Sequence, residues 1–362
     1  MFIIPFSTLT DSDVARTAME KLPLATAEWE QDVWKFLINW YHNNSDTIEV
    51  FSSGSTGPPK AIQHSKKAMQ AHAQITCETL QLPRGITAWL CLPASKIGGM
   101  MMLVRSMVNR MDLLCTKPSA NPFEDLDDNH AVAFAALTPM QMKATETDYT
   151  RYRKMNRIKT ILLGGEAVSA GLIKHLYAAE NNIYATFGMT ETISHIALKK
   201  LNGLHPDAHY KTLNGITVAT DERNCLVVHA PAIGISNMAT NDLATIVSAT
   251  EFDWLGRIDH IINTGGIKVI PEAVEQKLLP FMNVPFFIAG MPDETTGSKV
   301  TLVLEATGLT QQDHAKLQEC FKVLGKYETP RAVLVAPAFV KTENGKIKRA
   351  ETLRMAAAVT LG

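Results

Sequence analysis

Phe51-Ser-Ser-Gly-Ser-Thr-Gly-Pro-Pro-Lys60 is the stretch on which the reading of this chain turns. It follows a β-rich run at 47–51 and precedes an amphipathic stretch at 66–80, so it reads as a loop between a strand and a helix. Ser53, Ser55 and Thr56 offer hydroxyls, Gly54 and Gly57 let backbone N–H groups come close to an anion, and Lys60 adds a mobile positive charge. That is the composition of a phosphate cradle. It is not a Walker A loop, because Lys60 follows Pro59 and precedes Ala61. The plainer alternative is a Gly/Ser/Pro surface turn.

Outward from this loop, short apolar runs at 88–92, 112–115, 131–137, 159–163 and 183–187 alternate with helical patterns at 99–110 and 170–179. Strands that look buried and alternate with helices predict a layered α/β domain with substantial parallel pairing. Beyond about residue 254 the pattern changes to helices at 271–279 and 311–324 and strands at 286–289, 299–304 and 332–335, a smaller α+β domain. The expectation is a large domain over 1–257 and a small one over 258–362.

At 362 residues, with about 150 per domain, two domains fit. Hydrophobic residues at 46% and charged residues at 20% describe a chain with a real core. The net charge of −1 gives no bulk field toward nucleic acid or anionic lipid, so neither is an expected partner. The five cysteines are dispersed without a Cys-x-x-Cys pair, which fits a reducing compartment better than a zinc site or a disulfide framework. No apolar run approaches a membrane span, and the first ten residues make a poor signal peptide. The expected location is the cytoplasm.

Three further segments carry chemistry. Ala185-Thr-Phe-Gly-Met-Thr-Glu191 reads as a strand turning at Gly188, exposing Thr190 and Glu191 at the strand's C-terminal edge, where open α/β sheets bind ligands. A hydroxyl beside a carboxylate suits Mg²⁺; the alternative is an ordinary helix start capped by Thr190. Asp242, Arg257, Asp259 and Gly265-Gly266 form the next group. Asp242 can accept from two ribose hydroxyls and Arg257 can reach ribose or phosphate, with Asp259 at a domain hinge. The same residues also read as a glycine-turned hairpin leading to a helix begun by Pro271. Last comes Lys341-Thr-Glu-Asn-Gly-Lys-Ile-Lys-Arg349, which places Lys346 on a glycine-containing loop tip or in a solvated basic tail.

Together, in this order, the segments resemble the core motifs of the adenylate-forming superfamily (acyl-CoA synthetases, luciferases and peptide-synthetase adenylation domains): Ser52–Lys60, Phe187–Glu191, Gly256–Glu275 and Asn344–Arg349. The resemblance implies an enzyme that uses ATP and Mg²⁺ to activate a carboxylic acid as acyl-AMP and transfers it to coenzyme A. It implies that Ser53, Gly54, Ser55, Thr56, Gly57 and Lys60 enclose the β- and γ-phosphates. Gly164, Gly165, Glu166, Phe187 and Gly188 would border the adenine. Thr190 would touch the α-phosphate, Glu191 would hold Mg²⁺, and Asp242 and Arg257 would take the ribose. Lys346 would bridge the acid and the α-phosphate; the small domain would then turn at Asp259 and bring the Gly265-Gly266 loop to the thiol.

Within the superfamily, Phe187-Gly-Met-Thr-Glu-Thr-Ile-Ser-His-Ile196, Ile161–Ala167 and Leu92–Gly99 are most similar to the o-succinylbenzoate–CoA ligases of menaquinone biosynthesis. That substrate has a second carboxylate, for which Lys96, Arg105 and Ser194 are the candidate donors; for Arg105 the alternative is a helix-surface ion pair. A ligase for another aryl or medium-chain acid, or a nucleotide-binding protein without ligase activity, are the competing readings. A homodimer is compatible with the sequence. Three departures stand out. The region before the phosphate motif is shorter than in most of the superfamily, which leaves the sheet's outer edge undefined. Lys96 stands where relatives carry histidine. Thr240-Asn-Asp242 stands where they carry Thr-Gly-Asp, Asn being able to tolerate a turn position.

Overall fold

The computed structural model describes residues 1–51, 60–341 and 347–359, so Ser53, Gly54, Ser55, Thr56, Gly57 and Lys346 lie outside the described residues. Two compact units divide the chain. The first comprises Met1–Val168, Leu172–Thr217 and His229–Asn237; the second comprises Ser169–Gly171, Val218–Val228 and Met238–Gly362. The boundary expected at 257/258 falls inside the second unit.

The first unit contains β1 (Phe2–Ile4), β2 (Thr47–Phe51), β3 (Ala61–Ser65), β4 (Thr87–Leu90), β5 (Asp112–Cys115), β6 (Val132–Leu137), β7 (Thr160–Leu163), β8 (Asn182–Gly188), β9 (His195–Lys200) and β10 (Tyr210–Thr212). Five of these run parallel in the order β5-β4-β6-β7-β8. Every residue of β7, and all but the first of β4 and β5, is buried, as a sheet covered on both faces requires. The layered α/β expectation holds. Trp89 at its centre packs edge-on against Phe123 and donates its indole N–H to Thr116 Oγ1 at 2.9 Å, so its polar atom is not orphaned. After β8 the chain reverses, and β9 and β10 continue the sheet antiparallel.

Residues ahead of the glycine-rich loop supply the edge that the sequence left undefined. β1 pairs antiparallel with β5. Helices α1 (Asp11–Lys21) and α2 (Glu28–His42) follow, α1 opened by a Thr10–Asp13 capping box. α2 buries Val33, Leu37 and Trp40 along one stripe, and Phe2 stacks on Trp34 at 4.9 Å.

The surroundings of the glycine-rich loop correct one expectation. The loop does not lead straight into a helix: β3 follows it and pairs antiparallel with β2, Phe51 facing Ala61, before helix α3 (Lys66–Thr79) begins. Helix α4 (Ile97–Asn109) corrects another. Gly99 to Met107 are all buried, Arg105 among them, so Arg105 makes no surface ion pair. Gly99 is needed for this packing, because a Cβ there would lie 2.1 Å from the Pro93 carbonyl oxygen.

Most of the second unit's first half is a run of strands, β11 (Thr217–Thr220), β12 (Cys225–Ala230), β13 (Ile235–Ser248) and β14 (Glu251–Arg257), side by side in chain order and absent from the sequence reading. Beyond Asp259, β15 (Ile262–Thr264), β16 (Ile267–Val269), β17 (Phe286–Asp293), β18 (Gly297–Glu305), β19 (Ala332–Ala336) and β20 (Ala357–Val359) form a second sheet. Helices Pro271–Leu278 and Gln311–Phe321 cover it, with Val274, Leu278, Leu317 and Phe321 packed on Ile288 and Leu302. This is the expected α+β pattern. Gly265 and Gly266, with φ of +58° and +81°, make the two-residue turn between β15 and β16, a conformation that suits glycine at both places. Among the described residues no helix is long and apolar enough to cross a membrane.

Candidate active site

In the first unit the candidate residues gather at the C-terminal ends of β7 and β8. Gly164 follows β7 directly and donates its N–H to the Leu137 carbonyl at 3.0 Å. A Cβ on Gly164 would lie 2.6 Å from Thr186 Oγ1, and Gly165 takes a φ of +96°, so the first glycine is required by space and the second by its backbone conformation. Glu166 follows them. On β8, Phe187 meets Tyr210 edge-on at 5.9 Å, and a Cβ on Gly188 would lie 2.3 Å from the Ser194 carbonyl oxygen.

The strand ends at Gly188 as read, and in place of the alternative helix start at Thr190 there is a single 3-10 turn, Thr190–Thr192, that folds straight back into β9. Buried Thr192 ties it: Met189 N–H donates to Thr192 Oγ1 at 2.9 Å, and the hydroxyl reaches the Ser194 carbonyl at 2.7 Å. Ile193 pays with a φ of +68°, a rare conformation for a buried β-branched residue. Strain of this kind concentrates where a fold fixes functional groups. His64 on β3 holds the Thr190 carbonyl from Nε2 at 2.7 Å, leaving the Glu191 side chain exposed. Among the described residues no three His, Cys, Asp or Glu side chains converge as a metal cage. One exposed carboxylate beside a hydroxyl suits Mg²⁺, which takes few protein oxygens and completes its shell with phosphate and water.

The acid-site candidates lie in the same unit. Lys96 precedes α4 as its N-cap residue. Arg105, 2% exposed, donates from a terminal nitrogen to Ser194 Oγ at 3.0 Å and approaches His195 Nδ1 at 3.4 Å. Burial lowers the Arg105 pKa to about 10, which still leaves it charged at neutral pH. The structure thus joins Arg105 and Ser194, and adds His195, which the sequence reading had not singled out.

The remaining candidates belong to the second unit. Asp242 on β13 faces Arg257 on β14. Asp242, 7% exposed, accepts from Trp254 Nε1 at 2.9 Å, and its other oxygen stands 3.8 Å from Arg257. Burial pushes the Asp242 carboxyl up, against the pull of Trp254 and Arg257. Arg257 also binds Asp259 at 2.6 Å, and Asn241 Nδ2 donates to the same carboxylate at 3.2 Å. Asn241 lies inside β13 rather than at a turn, so it does not stand in for a turn glycine; it supplies a side-chain amide that glycine lacks. Arg223 reaches Asn241 Oδ1 at 3.2 Å, completing a chain of polar contacts. Trp254 and Arg223 were invisible in the motif pattern.

Comparison with known proteins identifies the family. The family model described as AMP-binding enzyme matches residues 12–227. A 2-succinylbenzoate–CoA ligase of Staphylococcus aureus is 25% identical over 346 residues, covering 88% of this chain and 69% of the relative. A probable 2-succinylbenzoate–CoA ligase of Mycobacterium tuberculosis is 25% identical over 85% of this chain and 84% of its own length. Among solved structures, an acyl-CoA synthetase (AMP-forming)/AMP-acid ligase II-like protein from Dyadobacter fermentans is 32% identical, with a TM-score of 0.61 over 91% of this chain and 95% of that one. The o-succinylbenzoate CoA synthetase of Bacillus subtilis, in complex with its acyl-adenylate, shares the fold at 19% identity and a TM-score of 0.72, covering 86% of this chain and 69% of that one. This chain belongs to the AMP-binding enzyme family and is an adenylate-forming enzyme of the acyl-CoA synthetase type.

Proposed function

We propose that the enzyme activates an aromatic acid bearing a second carboxylate, 2-succinylbenzoate being the acid that fits, and passes it to coenzyme A. The observation that carries the reading is Arg105: a buried guanidinium that, among the described residues, pairs with no carboxylate and contacts Ser194 and His195 instead. A buried cation without an anion is costly unless a ligand brings one. The names of the ligases at 25% identity support the same acid.

In this reading Ser53, Gly54, Ser55, Thr56, Gly57 and Lys60 take the β- and γ-phosphates, Gly164, Gly165, Glu166, Phe187 and Gly188 the adenine, and Asp242 with Arg257 the ribose. A carboxylate oxygen of the acid attacks the α-phosphorus and the bond to pyrophosphate breaks, with Thr190 and Lys346 offsetting the charge that builds there. Mg²⁺ held by Glu191 would supply a fixed positive charge to the phosphates. The division at 258–362 and the turn about Asp259, bringing Gly265-Gly266 to the thiol, belong to the same proposal.

The test is pyrophosphate release with Mg-ATP and coenzyme A across a panel of acids. The expected result is a kcat/KM for 2-succinylbenzoate well above those for benzoate and octanoate. Equal values would return the enzyme to the wider class of aryl or medium-chain acid ligases, and ATP binding without release for any acid would make it a non-catalytic nucleotide binder.

A further inference from the structure

Around Arg105 the hydrogen-bond donors and acceptors assign the imidazole protons. The His72 ring, fully buried on α3, meets the His195 carbonyl through Nε2 at 2.8 Å; a carbonyl only accepts, so that nitrogen carries the hydrogen. The guanidinium only donates, so His195 Nδ1, 3.4 Å away, is bare and its hydrogen sits on Nε2, directed to Thr76 Oγ1 at 3.5 Å. Thr76 in turn donates to the His72 carbonyl at 3.0 Å. The two rings meet edge to face at 5.4 Å. Charging His195 would set an N–H against an N–H and place a second cation beside Arg105. Burial and Arg105 hold His72 down at about 3 and His195 well below the usual imidazole range. The neighbouring Cys77 thiol, pushed up to about 11, stays protonated. Among the described residues Arg105 is thus gripped by neutral groups alone, and its buried Nε has no acceptor.

We propose that His195 and His72 are positioning residues: a neutral pair locked in one tautomer that orients the Arg105 guanidinium without neutralising it, and so sets the preference for an acid with a second carboxylate. The inference rests on the proposed function, because it assumes that Arg105 meets that carboxylate.

The experiment measures the ratio of kcat/KM for 2-succinylbenzoate to that for 3-benzoylpropionate, which lacks the ring carboxylate. His195→Leu is expected to lower the ratio about tenfold, mainly through KM, as expected for a charge-assisted contact that loses its alignment. His195→Gln, which can accept from Arg105 and donate to Thr76, restores it. Arg105→Gln abolishes the preference. If Arg105→Gln has this effect but His195→Leu leaves the ratio unchanged, the positioning role fails while the proposed function stands. If Arg105→Gln changes nothing, the proposed function itself fails. Independently of folding in the variants, ¹⁵N NMR of the wild-type protein at pH 5 should show both rings neutral and protonated on Nε2. A charged ring, or one protonated on Nδ1, overturns the lock.

Discussion

Trp254 donates its indole N–H to Asp242 at 2.9 Å, and this bond, not an ion pair, is the shortest contact to that carboxylate, since Arg257 stands 3.8 Å away. The bond favours the ionised form of a buried carboxylate and orients it from the neighbouring strand, where Trp254 pairs with Ala244, two residues on from Asp242. Trp254→Phe removes the donor and keeps the ring. The expected outcome is a loss of about 1.5–3 kcal/mol of unfolding free energy, the range for a hydrogen bond to a charged group, read by urea denaturation. The KM for ATP should rise with it; an unchanged KM would detach Asp242 from the nucleotide.

Gly188 admits no side chain, because a Cβ would lie 2.3 Å from the Ser194 carbonyl oxygen and 2.5 Å from the His195 Cα. The obstacle is backbone, which cannot swing aside. Gly188→Ala should therefore cost about 1–3 kcal/mol or more in stability and misplace the Thr190–Glu191 turn, with activity falling further than stability does. A variant of wild-type activity would show that this turn tolerates displacement.

The buried histidines give stability a pH dependence whose sign is fixed. His72 and His195 have folded pKa values depressed below that of an unfolded imidazole, near 6.5, with His72 at about 3. Between those values the unfolded chain binds protons that the folded one refuses. The stability is fully present above pH 6.5 and is lost as pH falls toward 3, at up to about 1.4 kcal/mol per pH unit for each histidine. Chemical denaturation at pH 7, 6 and 5 measures the slope, and a double variant without either imidazole should flatten it.

For Lys346 the proposal separates two half-reactions. Lys346→Ala should lower acyl-AMP formation by a factor on the order of 10²–10³, the cost of removing one transition-state contact, while a pre-formed acyl-AMP is still transferred to coenzyme A. Equal loss of both steps would sink the division of labour between Lys346 and the Gly265-Gly266 loop.

Much of this fold could be read from local pattern. The parallel strands announce themselves because strands buried on both faces, such as Thr160–Leu163, are continuous apolar runs. β3 escaped because Ala-Ile-Gln-His-Ser is a mostly exposed edge whose inward residue is His64. Helix α2 carried a legible stripe in Val33, Leu37 and Trp40 that lay outside the motif-bearing region. Arg105 and Ser194 were named as candidate donors through the resemblance alone; they lie 89 positions apart, and no local rule supplies the contact between them or leaves a surface ion pair excluded. Asn241 was misjudged for a related reason: a residue type common in turns sits in a strand, and its value is the bond to Asp259.

The Phe51–Ala61 pairing has a practical reach. Segment 52–60 leaves one strand and returns to its immediate neighbour, so its two attachment points are fixed by the same rung of a ladder. Changes in the length or composition of such a segment are expected to leave the register of β2 against β3 in place. If the proposed phosphate role holds, it can be varied at this place while the register of the flanking strands is kept.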